Sequence, residues 1–267
     1  MTLPSLKEPT SVAANGRRPS GSLPPLRMLA SPEQATGIFE SAIRGVASSS
    51  HPLEILEAGC GRQWPLDLSG VRYRLVGVDQ DAAALRHRRE EVRDLDDWVV
   101  GDLLSLEMPE ETYDVIFNSF VLEHVRGAEA LLDRFVRWLK PGGLLLLRLP
   151  DGNTVYGLLA RYLPYRWHVA YYRHLRHSPG AGQPGHPPYP TYYDPVVSRQ
   201  GIHSYARSRR LRVLEEFGTN FHLQAFGPLA GMALAGLRTI QAATGGRYQA
   251  GHQNLGYVIQ KPSPATG

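Results

Sequence analysis

Leu53-Glu54-Ile55-Leu56-Glu57-Ala58-Gly59-Cys60-Gly61 is an apolar run that ends in an acid and breaks at two glycines. A short apolar run bounded by a turn signal reads as a buried parallel strand. Gly59 and Gly61 let the chain turn sharply and leave no Cβ between the backbone and a ligand. In open α/β sheets ligands lie off the carboxyl ends of the strands, so this turn marks a binding edge. A dinucleotide fingerprint needs a further glycine where Trp64 stands, and a phosphate-cradling loop needs Gly-Lys-Ser/Thr where Gly61-Arg62-Gln63 stands. Both ligand classes are disfavoured.

The pattern repeats along the chain. Arg74-Leu75-Val76-Gly77-Val78-Asp79 and Trp98-Val99-Val100-Gly101-Asp102 are further apolar strands ending in acids. Residues 113–118, 144–149, 211–215 and 255–260 complete a set of seven. Helices are expected over 81–92, over 128–139 with a stop at Lys140-Pro141-Gly142-Gly143, and over 226–243. Ahead of the first strand, Ser31-Pro32-Glu33-Gln34 has capping-box spacing, and Ala35, Ile38, Phe39, Ala42, Ile43 and Val46 share one helical face. Strands alternating with helices imply an α/β fold with a mainly parallel sheet and helices on both faces. Residues 1–27, rich in Pro, Ser, Gly and Arg, read as a disordered tail, 28–261 as one domain, and 262–267 as a flexible end.

With 267 residues, 42% of them hydrophobic, the chain can bury a sizeable core. Its single cysteine, Cys60, excludes an intrachain disulfide and suits a reducing compartment, so a cytoplasmic location is expected. Cys60 lies inside the glycine turn and reads as a small turn residue rather than a nucleophile. A formal net charge of +4 is compatible with anionic partners without selecting one. No apolar run reaches the ~18 residues of a membrane span.

The acid-x-Gly-x-Gly pattern from Glu57 to Gly61, with Asp79, Asp102, Tyr113-Asp114-Val115-Ile116-Phe117-Asn118 and Leu139-Lys140-Pro141-Gly142-Gly143 at matching places, resembles the class I S-adenosylmethionine-dependent methyltransferases, of the small-molecule, ubiquinone-biosynthesis-like type. Gln63 stands where that family usually has a third glycine. The resemblance covers residues 31–150 well and 205–260 in pattern only. It implies a Rossmann-like seven-stranded sheet and S-adenosylmethionine as cofactor. Gly59 and Gly61 would pass close to the cofactor, and Glu57 would meet its methionyl ammonium end. Asp79 would accept the two ribose hydroxyls, Asp102 the adenine amino group, and the Asn118 backbone carbonyl the ammonium.

Phe120-Val121-Leu122-Glu123-His124-Val125 resembles the corresponding segment of ubiquinone-type and small-RNA 3′-end O-methyltransferases, where Glu-x-x-Glu-His binds a divalent metal. Phe120 replaces the first of those ligands, so no metal is expected. His124 is the candidate catalytic base, since an imidazole titrates near neutral pH. Nucleic acid is disfavoured: Asn118-Ser119-Phe120 lacks the Pro-Pro-aromatic segment of base N-methyltransferases, and Arg86-His87-Arg88-Arg89 and Arg207-Ser208-Arg209-Arg210 read as solvated faces. The expected function is methyl transfer to a small-molecule or lipid-linked acceptor, at oxygen. A non-catalytic binding protein of the same fold, or an RNA methyltransferase, is the alternative.

Residues 151–205 interrupt the rhythm after the fifth strand. They hold nine of the 13 tyrosines, and 161–173 interleave arginines with aromatic residues. This composition suits a lid over the acceptor and peripheral contact with an anionic membrane, with Gly180-Ala181-Gly182-Gln183-Pro184-Gly185 as a flexible crossing.

Overall fold

Ser31 starts the first helix as its side chain dictates. Its hydroxyl accepts from Gln34 N, while Gln34 Oε1 accepts from Ala30 N at 2.9 Å, a reciprocal cap. The helix, α1 (Pro32–Val46), buries Ala35, Phe39 and Ile43 completely. These residues recur every fourth position and lie on the sheet. Burial of a side chain such as Phe39 stabilises the fold by about 1.5–3 kcal/mol.

The computed structural model describes residues 23–174, 179–182 and 188–263. Most of the expected amino-terminal tail, Gln183 to Gly185 of the expected crossing, and residues 264–267 lie outside the described residues. The strands are β1 (Arg27–Met28), β2 (Leu53–Ala58), β3 (Tyr73–Asp79), β4 (Asp97–Val100), β5 (Tyr113–Ser119), β6 (Leu139–Pro150), β7 (Arg212–Thr219) and β8 (Asn254–Gln260). They form one sheet in the order β1-β7-β8-β6-β5-β2-β3-β4. Only β8 runs antiparallel to its neighbours.

Among the described residues the sheet has eight strands rather than the expected seven. Arg27–Met28 adds a short parallel edge to β7, and Leu26 packs on the core, so the fold begins ahead of the expected boundary at 28. A second difference lies at Lys140-Pro141-Gly142-Gly143. These residues belong to β6 rather than to a stop before it, because Leu139 already pairs with Tyr113 and a bulge takes up the extra residues before Val115 meets Leu144.

The remaining helices are α2 (Ala82–His87), α3 (Ala128–Trp138), α4 (Val155–Tyr162), α5 (Tyr165–His174), α6 (Arg199–Ser208) and α7 (Ala230–Ala243). Leu56, Ala58, Ile116, Leu145 and Leu147 meet α3 and α6 on one face of the sheet; Leu53, Ile55, Phe117, Leu144 and Leu146 meet α1 on the other. No helix follows the glycine turn. The crossover from β2 to β3 is a loop that seals the sheet with buried Leu66 and Leu68 and with Trp64, edge-on to Phe117 at 5.5 Å.

From β2 the chain builds outward through β3 and β4, then returns to place β5 on the other side of β2. The crevice beyond the carboxyl ends of β2 and β5 is therefore the topological switch point, where open α/β sheets bind ligands.

Candidate active site

Gly59 and Gly61 both have positive φ, 75° and 54°. A Cβ on Gly59 would lie 2.2 Å from Val121 Cγ2, whereas one on Gly61 would meet nothing within 4 Å. Gly59 is thus pressed against the segment after β5, and Gly61 opens onto free space. The turn is held from β3. Val78 O accepts from Gly59 N and Cys60 N, Asp79 Oδ2 accepts from Gly61 N at 2.8 Å, and Asp79 Oδ1 accepts from Asp81 N at 2.8 Å. Each Asp79 oxygen retains a second lone pair.

Asp102 lies two residues past β4. Its carboxylate is exposed and Oδ1 accepts from Leu104 N at 3.0 Å. Asn118, fully buried in β5, donates Nδ2 to Ala58 O at 2.8 Å, and its Oδ1 has no partner among the described residues. Asp102, Asp79, the Glu57–Gly61 turn and Asn118 therefore stand at the ends of four successive strands, β4, β3, β2 and β5. Cys60 is buried, and burial pushes its thiol up to about 12, which keeps it protonated and unfit as a nucleophile.

Glu57 has a partner that sequence reasoning missed. Arg88 is completely buried, and its Nη1 donates to Glu57 Oε2 and to Cys60 O, both at 2.9 Å, while its Nε donates to Asp94 Oδ1 at 2.7 Å. This corrects the reading of Arg86-His87-Arg88-Arg89 as a solvated face. Arg88 lies one helical turn from Ala84 and Leu85, the buried residues of α2, so it points inward with them. Burial pushes the Glu57 carboxyl up, against the downward pull of the guanidinium. The Glu57–Arg88 pair braces the glycine turn, and the second Glu57 oxygen has no partner among the described residues.

His124 closes a 3-10 turn, Leu122–His124, after β5. Its Nδ1 lies 2.7 Å from Pro190 O. A carbonyl only accepts, so Nδ1 carries the proton and Nε2 keeps its lone pair. Burial lowers the His124 pKa, opposed by the bond to Pro190. Glu123 Oε1 stands 3.8 Å from Nε2; Oε2 has no partner among the described residues, and burial pushes that carboxyl up to about 8. Chain from the insertion covers this turn. Tyr192 N donates to Glu123 O at 2.8 Å, Tyr189 lies edge-on to His124, and Asp194 Oδ2 accepts from Gly127 N and Ala128 N at the start of α3. The residue before α3 is Gly127, which has no side chain to cap with, and that missing cap was the sequence signal for Asp194.

The chemistry of these donors and acceptors fits a nucleoside carrying a cationic amino-acid tail. Asp79 and Asp102 offer carboxylate lone pairs to hydroxyl and amino groups, Gly61 leaves room for close approach, and the Glu57 oxygen not bound by Arg88 keeps acceptor lone pairs at the turn. Fold and site together resemble those of the class I S-adenosylmethionine-dependent methyltransferases.

Residues 56–147 match the family model described as a methyltransferase domain. A protein of Mycolicibacterium smegmatis named a probable S-adenosylmethionine-dependent methyltransferase is 34% identical over 102 residues, covering 38% of this chain and 39% of that protein. Malonyl-[acyl-carrier protein] O-methyltransferase of Yersinia pestis is 26% identical over 164 residues, 54% of this chain and 60% of that one. The chain thus covers less than two thirds of the length of these curated relatives. Among solved structures, an S-adenosylmethionine-dependent methyltransferase from Mesorhizobium loti shares the fold with a TM-score of 0.52 at 15% identity, over 82% of this chain and 96% of that one.

Proposed function

We propose that this chain transfers the methyl group of S-adenosylmethionine to an oxygen of a small-molecule or lipid-linked acceptor in the cytoplasm, with His124 as base. The carrying observation is the row of strand-end groups, Asp102, Asp79 and the Glu57–Gly61 turn, at the switch point of the sheet, with the lone pair of His124 on the segment after β5. When bound, the cofactor supplies a methyl group already activated on a sulfonium. The chain's part is to hold the acceptor in line with it and to take the acceptor's proton. A hydroxyl gains most from such a base, and the Yersinia relative, an O-methyltransferase by name, also supports oxygen.

The cofactor half of this reading is tested by Asp79→Ala. Affinity for S-adenosylmethionine should fall by roughly 1.5–3 kcal/mol, the range for hydrogen bonds to a charged group. Titration calorimetry on a variant shown by circular dichroism to be folded reads it. Unchanged affinity would remove Asp79 from the ribose position.

A lipid-linked acceptor is favoured by the surface around the insertion. Gly152 to Tyr193 contains no acid, nor does the chain from Phe217 to Gly267. Tyr162, Leu163, Tyr165, Trp167, Leu229 and Met232 are exposed there, and neither α5 nor α7 buries a residue. Exposed aromatic rings among arginines, with no carboxylate to repel anionic headgroups, suit a peripheral bilayer interface. Among the described residues no helix is long and apolar enough to cross a membrane. The protein should sediment with phosphatidylglycerol vesicles at low salt and not with phosphatidylcholine vesicles. Tyr162→Ser/Trp167→Ser should release most of it. Equal behaviour on both vesicles would make the surface ordinary scaffold.

A further inference from the structure

Among the described residues, one partly buried cation, Arg148, has no acid to pair with. Arg148 lies near the carboxyl end of β6, in register with Ser119 of β5 and with Gly256 of β8. Leu145, Leu147 and Leu149 point to the α3 side of the sheet and Leu144 and Leu146 to the α1 side, so strand alternation puts Arg148 on the α1 side. Its two strand neighbours there are a serine and a glycine, neither of which can neutralise it. Arg88, Arg134 and Arg199 are also drawn into the fold, and each reaches a carboxylate. Arg148 is half-buried, yet among the described residues its guanidinium meets no hydrogen-bond acceptor and no acid. Burial alone shifts its pKa, downward, with no opposing charge.

What it does meet is a ring. The Arg148 guanidinium lies over Phe120 at 5.3 Å. Phe120 follows β5 directly and is held at a φ of 57°, a conformation rare for a side chain of that size. Its N–H donates to Arg148 O at 2.8 Å. Phe120 is also 36% exposed, so an apolar ring is kept partly in solvent beside a cation with unused donors. The same segment runs on to His124 four residues later.

We infer that Arg148 anchors a carboxylate or phosphate group of the methyl acceptor, with Phe120 backing the guanidinium plane. This rests on the methyl-transfer reading and narrows it to an anionic acceptor. A guanidinium presents a planar fork that binds either oxyanion through two parallel N–H donors. An aromatic face on the opposite side favours the cation without occupying those donors. The anion replaces the solvent that burial has stripped from Arg148, and it sets the distance between the acceptor's charged end and the hydroxyl that His124 serves.

The test uses the full chain and two probes, citrate and glycerol 3-phosphate, titrated calorimetrically with and without saturating S-adenosylhomocysteine. At least one probe should bind saturably to the wild type. Arg148→Met should weaken that binding about tenfold or more, the scale of a lost charge-assisted hydrogen bond, and Arg148→Lys should fall between, because it keeps charge without the fork. Both variants should bind S-adenosylhomocysteine within about threefold of the wild type, since additivity holds for separate sites. Saturation by citrate alone identifies a carboxylate acceptor, and by glycerol 3-phosphate alone a phosphate. No saturable binding to the wild type, or undiminished binding to Arg148→Met, overturns the inference while cofactor binding stands. Arg148-dependent anion binding in a protein that ignores S-adenosylhomocysteine would keep the anion site and remove its link to methyl transfer.

Discussion

Arg88→Leu is expected to cost roughly 3–5 kcal/mol of folding stability at alkaline pH, the scale seen when one partner of a buried ion pair is removed. The wild-type guanidinium is fully buried and satisfies Glu57, Asp94 and the Cys60 carbonyl together. Leucine fills the space and leaves the Glu57 carboxylate buried without a counter-charge. The loss should depend on pH, with a definite sign. Burial already pushes the Glu57 carboxyl up, and without Arg88 nothing pulls it back. A carboxyl whose folded pKa exceeds its unfolded value binds an extra proton when folded. The variant's stability is therefore greatest in acid and falls as pH rises through that window, by up to about 1.4 kcal/mol per pH unit. Urea unfolding at pH 5.5, 7 and 8.5 checks this. Glu57→Gln/Arg88→Leu should flatten the pH dependence and recover part of the stability. The single variant should also lose affinity for S-adenosylmethionine, because the Cys60 carbonyl in the glycine turn is no longer held. A loss under 1 kcal/mol, equal at all three pH values, would mean that the pair is not the brace it looks to be.

What the sequence carried, and what it did not, follows from range. The strand-end acids are read from neighbours a few residues away; the structure sets Asp102 just past β4, Asp79 at the end of β3 and Asn118 near the end of β5, with the Glu57–Gly61 turn on β2 between the last two. The α1 cap and its buried face were equally local. Arg88 was missed because a run of four basic residues looks solvated until one asks which of them shares a helical face with Ala84 and Leu85. Glu57 pointed the same way, since an acid inside a buried strand demands a partner. Asp194 capping α3, and Pro190 accepting from His124, join residues more than 60 positions apart. No periodicity encodes such pairs. The crossover after Gly61 forms no helix: Trp64-Pro65-Leu66-Asp67-Leu68 alternates apolar and polar positions, and Trp64, Leu66 and Leu68 cover the sheet instead.

His124→Asn should lower turnover ~10²–10⁴-fold, the contribution of a positioned general base, while leaving cofactor affinity intact. Asparagine is the informative replacement. Its amide can still donate to Pro190 O, which the Nδ1 proton does in the wild type, so the chain from the insertion stays docked on Glu123 and His124. What it lacks is the Nε2 lone pair. His124→Ala removes both, and should add a loss of protection in residues 188–194 by hydrogen exchange. A histidine that only holds the insertion would be nearly replaced by asparagine and poorly replaced by alanine. A base would be equally lost in both. The pH profile supplies the second readout. Methyl transfer to a hydroxyl needs the neutral ring, and burial lowers the His124 pKa. The acid limb of kcat/KM should therefore lie below the ordinary histidine value of about 6.5, with a plateau through neutrality, and both substitutions should erase that limb. Activity within threefold of the wild type for His124→Asn, with the limb unmoved, would leave His124 as a clasp for the insertion and send the search for the base to another side chain.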